Sequence, residues 1–163
     1  MPFARRPDHW APASLPSRPR VLIEHSDLGV AFAAERVLDR DGYDVAVCGG
    51  PLHLRRERCP LVDGTGCALV EQADVIVQGL NLSRDVHCEV TRAVREHRPE
   101  LPVVIEATAD DASRHAPLLE GCTTVPFPMT RAGLEDAVRG ALRKRTLRST
   151  PPTPPAGRER GRR

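Results

Sequence analysis

The chain reads as one α/β domain, a doubly wound parallel sheet of five strands covered by helices on both faces, in the chain order (βα)5. Two observations predict this. Short apolar runs rich in Val and Ile alternate with segments whose apolar residues recur every three or four positions, as expected of strands buried on both faces and joined by crossover helices. The length, 163 residues, accommodates one core of ordinary size and little more.

Each element has its own signal. The first strand is Val21-Leu22-Ile23, and the helix after it, Gly29 to Arg40, carries Val30, Ala33, Ala34, Val37 and Leu38 on one stripe before Asp41-Gly42 ends it. The second strand, Asp44 to Cys48, is halted by Gly49-Gly50-Pro51. An irregular segment leads to a short helix at Ala68 to Gln72 and a third strand at Asp74 to Gln78. A helix over Arg84 to His97 is closed by Pro99, and the fourth strand covers Pro102 to Glu106. A fourth helix near Asp110 to Leu119 stops at Gly121. The fifth strand, Thr123 to Val125, precedes a last helix over Arg131 to Arg145 with Leu134, Val138, Ala141 and Leu142 on one side.

Charge is unevenly distributed. Arginine occurs 23 times and lysine only at Lys144, a bias that weakens any inference from arginine counts alone. Residues 1–20 sum to +3 and residues 143–163 to +7, whereas residues 21–142 hold 12 Arg against 20 Asp and Glu, a net −8. Both ends are rich in proline (Pro12, Pro16, Pro19; Pro151, Pro152, Pro154, Pro155) and poor in apolar residues. They are expected to be disordered tails at 1–19 and 146–163 flanking a domain at 20–145. No stretch approaches the ~20 consecutive apolar residues of a membrane span, and no secretory signal opens the chain, so a cytoplasmic location without membrane partners is expected.

Two segments carry a family resemblance. The run RVLIEHSDLGVAFAAERVLDRDGYDVAV and the run GCTTVPFPMTRAGLEDAVRGAL resemble the first strand, first helix, fifth strand and last helix of the CheY-like receiver domain of response regulators, and the likeness extends from Arg20 to about Arg143. It implies the flavodoxin-like strand order 2-1-3-4-5 with the site at the carboxyl ends of the central strands. Receivers hold Mg²⁺ with an acidic pair after the first strand and accept a phosphoryl group on an Asp after the third. They bind the phosphate oxygens with a hydroxyl after the fourth strand and a Lys before the Pro that follows the fifth. At those places this chain has His25 and Ser26, Gly79, Ala107, and Phe127 before Pro128. Asp27 and Thr108 lie one position away, where a small shift would supply a cation ligand and a hydroxyl. Nothing near Gly79 supplies a carboxylate, so the resemblance implies a pseudo-receiver that has lost phosphorylation. It also implies a cis Phe127-Pro128 bond.

Three further groups stand out. Glu24, Gln78 and Glu106 each sit just before the end of an apolar strand, and in the implied order Gln78 would lie between two carboxyls about 10 Å apart. They would form a hydrogen-bonded network with a protonated Glu, a wet pocket, or hydrated strand ends. His25, Ser26, Asp27, Asn81 and His87 are candidates to line the same crevice for a small polar ligand or a metal. Cys48, Cys59 and Cys67, with His53, fall around the least receiver-like segment. They are candidates for zinc or an iron-sulfur cluster, without the CxxC pair that marks such sites, or for a reversible Cys59–Cys67 disulfide, or are idle thiols. Cys88 and Cys122 read as core residues.

No Ser, His and acid spacing matches a hydrolase, so no enzyme activity is expected. The leading expectation is a stand-alone signalling module that binds a regulatory protein, or a second copy of itself, without being phosphorylated. The alternatives are a redox- or metal-responsive regulator acting through the cysteine loop, a small-molecule receptor, and a nucleic-acid-associated protein acting through the basic C-terminal tail.

Overall fold

The computed structural model describes Trp10, residues 18–50 and residues 59–149. Five strands form one parallel sheet in the order β2-β1-β3-β4-β5: β1 (Arg20–His25), β2 (Asp44–Cys48), β3 (Val75–Gly79), β4 (Val103–Ala107) and β5 (Thr123–Pro126). The helices between and after them are α1 (Leu28–Arg40), α2 (Ala68–Gln72), α3 (Asp85–His97), α4 (Ala109–Arg114), α5 (Ala116–Leu119) and α6 (Arg131–Ser149).

The sheet is buried on both sides because alternate residues of each strand feed separate apolar layers. Val21, Ile23, Val75, Val77 and Val104 pack with Ala31, Ala34 and Leu38 of α1 and Leu134, Val138 and Ala141 of α6. Leu22, Ile76, Val103 and Ile105 face the other way, toward Val70 of α2, Val94 of α3 and Leu119 of α5. Gly42, at φ 92°, supplies the left-handed turn that releases the chain from α1 into β2.

Most element ends fall within one or two residues of the sequence expectation, and two helices depart from it further. The fourth helix is two short ones, broken at His115, because Pro117 in the first turn of α5 has no N–H to continue the α4 ladder. The last helix runs past Arg145 to Ser149, where Thr146 Oγ1 donates to the Leu142 carbonyl at 3.2 Å. It meets no breaker before Thr150, which Pro151 disfavours from helix. Residues 146–149, expected in the tail, are therefore helical. Trp10 packs against the second apolar layer with the Arg20 guanidinium 5.6 Å from its ring centre. Arg18 Nε donates to the Gly42 carbonyl at 2.9 Å. The remaining tail residues, 1–9, 11–17 and 150–163, lie outside the described residues.

Candidate functional site

The carboxyl ends of β1, β3 and β4 meet at one place. His25 pairs in register with Gly79, and the Gln78–Ile105 pairing carries Glu106 to the level of Gly79. His25 and Glu106 therefore project from the same face, on either side of Gly79, and join across it with His25 Nε2 3.1 Å from Glu106 Oε2. A Cβ at Gly79 would overlap the His25 Cδ2 and Nε2 atoms and approach Glu106 Oε2 to 2.9 Å. Only glycine lets the imidazole lie over this strand end.

The pair is fixed from both sides. The Asp27 backbone N–H donates to His25 Nδ1 at 2.9 Å, which places the ring proton on Nε2, facing Glu106. The other oxygen of Glu106 accepts the Met129 backbone N–H at 2.6 Å, just past the cis Phe127-Pro128 bond. Burial pushes the Glu106 carboxyl up, but the His25 and Met129 hydrogen bonds outweigh it and hold the group below its usual value. Both side chains are buried.

Above the pair lies a cleft of about 390 Å³ whose lining includes Ser26, Asp27, Val30, Leu80, Asn81, Leu82, Thr108, Asp111 and Phe127. Asp27 and Thr108, the candidates for a displaced cation ligand and hydroxyl, serve as helix caps. Asp27 Oδ1 accepts from Gly29 N at 2.7 Å and Val30 N at 3.1 Å at the start of α1. Thr108 Oγ1 accepts from Asp111 N at 3.1 Å and donates to Asp111 Oδ2 at 2.8 Å at the start of α4. The donor set does not fit the Mg²⁺ that phosphoryl transfer requires. The positions to which the resemblance assigns an acidic pair hold His25 and Ser26, both oxygens of Glu106 are engaged, and no cluster of three or more His, Cys, Asp or Glu side chains placed for a metal ion is found among the described residues.

The expected trio of Glu24, Gln78 and Glu106 separates. Glu24 and Gln78 are register partners and share the Leu22 face, whereas Glu106, one residue beyond the partner of Gln78, turns to the opposite face. Gln78 Nε2 donates to Glu24 Oε2 at 2.6 Å in the interior, and Gln78 Oε1 has no partner among the described residues. Burial pushes the Glu24 carboxyl up, and the Gln78 hydrogen bond offsets this only partly. Of the crevice candidates, His25, Ser26, Asp27 and Asn81 do line the cleft. His87 does not: it is buried in the first turn of α3 with Nδ1 3.0 Å from the Asn81 carbonyl.

Asp111, Leu80 and Leu82 were missed at the sequence level. The Thr108-x-x-Asp111 spacing is a capping signal that could have found Asp111. The signal for Leu80 and Leu82 is only their place just after a strand end.

Cys48, Cys59 and Cys67 pack against one apolar layer, near enough to Glu24 for its charge to bear on Cys48 and Cys59. All five cysteines are free. Burial first, then Glu24, pushes the Cys48 thiol up to about 12, and burial raises Cys59, Cys88 and Cys122 as well. Such thiols are poor nucleophiles. His53 lies outside the described residues.

A five-stranded parallel sheet in this order, with its cleft at the carboxyl ends of the central strands, is the architecture of a receiver domain, and solved structures agree. A CheY-like response regulator receiver domain protein from Methanospirillum hungatei JF-1 superposes with a TM-score of 0.62 at 16% identity, covering 82% of this chain and 100% of its own. A receiver domain protein from Clostridium thermocellum gives 0.61 at 17%, covering 79% and 98%. The signal receiver domain of a putative LuxO repressor protein from Vibrio parahaemolyticus gives 0.60 at 17%, covering 81% and 95%. The chain has the receiver fold. No family model and no curated protein matches it, and no helix among the described residues is long and apolar enough to cross a membrane.

Proposed function

We propose that this chain is a pseudo-receiver: a signalling module that binds a regulatory protein partner and is not switched by aspartyl phosphorylation. One observation carries the reading. The place from which the acceptor side chain would project is a glycine, and the His25–Glu106 pair occupies the space where that side chain would stand.

Three neighbouring features support it. The lysine position is Phe127, the hydroxyl position is Ala107, and the two nearby groups of the right chemistry, Asp27 and Thr108, cap helices. The pair also binds β1 to β4 and, through Met129, to the start of α6. On this reading partner binding follows the module's presence in the cell rather than its phosphorylation.

The test is thermal unfolding of the intact chain with and without acetyl phosphate and Mg²⁺. A ligand that binds only the folded state raises the melting temperature with concentration. We expect no shift, together with equal recovery of bound protein partners under both conditions. A concentration-dependent rise would contradict the reading.

A further inference from the structure

We propose that the cleft above His25 and Glu106 is a docking site for an arginine of the chain's own C-terminal segment, residues 157–163. This rests on reading the cleft as one without phosphoryl chemistry and names what it binds instead.

The cleft has the walls such a side chain needs. Val30 and Phe127 are two of the three exposed large hydrophobic residues among the described residues, at 42% and 61% exposure, and both line it. Phe127 stands where a receiver carries its phosphate-binding lysine. That replacement removes a cation and offers an aromatic face. Asp27 and Asp111 flank the opening, Ser26, Asn81 and Thr108 add polar groups, and no Arg or Lys belongs to the lining. A phosphate would meet carboxylates here. A guanidinium would stack on the phenyl ring while its fork reaches a carboxylate, the two contacts that arginine makes better than lysine.

Charge and chain length point to the occupant. Residues 21–142 carry a net −8, while residues 157–163, GRERGRR, hold four arginines against one glutamate. Helix α6 begins three residues after Pro128, beside the cleft, and its far end is marked by the Arg145–Asp74 ion pair just ahead of β3. Nineteen helical residues rise roughly 28 Å. The nine steps from Ser149 to Arg158 pass through Pro151, Pro152, Pro154 and Pro155. At the ~3.3 Å per residue that an extended chain can reach, nine steps cover up to about 30 Å. The spacer is long enough to retrace the helix, and Arg160, Arg162 and Arg163 follow it in the sequence.

The test compares amide chemical shifts of the full chain with those of a full-length variant in which Arg158, Arg160, Arg162 and Arg163 are all changed to Gln. We expect shift differences at Ser26, Gly79, Thr108 and Asp111, loss of those differences at high salt, and their recovery when a peptide of residues 150–163 is added to the variant. In a Phe127→Ala chain the same four changes should move these amides several-fold less. Differences confined to α6 and the residues after it would overturn the proposal. Cleft differences that fade on dilution would assign the arginine to a second copy and overturn docking within one chain. Phosphoryl uptake from acetyl phosphate would overturn the reading on which the proposal rests. A chain that takes up none, and whose cleft ignores the arginines, would overturn the docking alone.

Discussion

Two buried glutamates on the strands that flank β3, Glu24 on β1 and Glu106 on β4, lie on opposite faces of the sheet and respond oppositely to pH. Burial raises Glu24, so the folded chain holds that proton more tightly than the unfolded chain. Stability is therefore lost as pH climbs from the usual carboxylate value through the raised one. Replacing Glu24 with Gln removes the ionisable group and offers Gln78 Oε1 a donor, which it lacks among the described residues. We expect Glu24→Gln to melt several degrees higher than the parent at neutral pH, with the gain shrinking toward about pH 4. Glu106 is held low, so its contribution is present above the usual carboxylate value and lost as pH falls through the lowered one. Glu106→Gln must set an N–H against either the Met129 N–H or the His25 ring. It should cost about 1–3 kcal/mol at neutral pH in urea unfolding and progressively less in acid. Gly79→Ala drives a methyl into the His25 ring and should cost about 1–3 kcal/mol, part of which a second change, His25→Ala, restores. The sequence singled out Glu24, Gln78 and Glu106 as polar residues ending apolar strands. It could not show that β4 pairs one residue out of step with that pattern, and a single-residue offset exchanges the faces of a sheet.

At the scale of elements, composition and punctuation located nearly every strand and helix, because Gly, Pro and β-branched runs act locally. Two features depended on neighbours instead. The break at His115 follows from Pro117, visible in the sequence but read inside a single helix. The roles of Asp27 and Thr108 as caps follow from where α1 and α4 begin, which also decides whether these groups serve a site or a helix end. Thr108→Ala deletes the acceptor for the Asp111 N–H and should lower stability by about 1 kcal/mol in urea unfolding, loosening α4 and one wall of the cleft. The cysteine segment was the least legible, since its spacing matched no ligand pattern. What the structure adds is that burial holds Cys48 in the thiol form, a state that disfavours redox chemistry there.

For the whole molecule, the fold was legible because a doubly wound sheet writes itself into sequence as alternation, and the cis Phe127-Pro128 bond expected after the fifth strand is present. What the fold positions is less conventional. Its central crevice is closed over Gly79 by a histidine–glutamate pair and lined above by an aromatic and carboxylates. The most direct measurement is the intact mass of the full chain after incubation with acetyl phosphate and Mg²⁺. An unchanged mass is the expected result. Addition of one phosphoryl group on an aspartate would contradict the central claim that the His25–Glu106 pair over Gly79 has replaced phosphorylation.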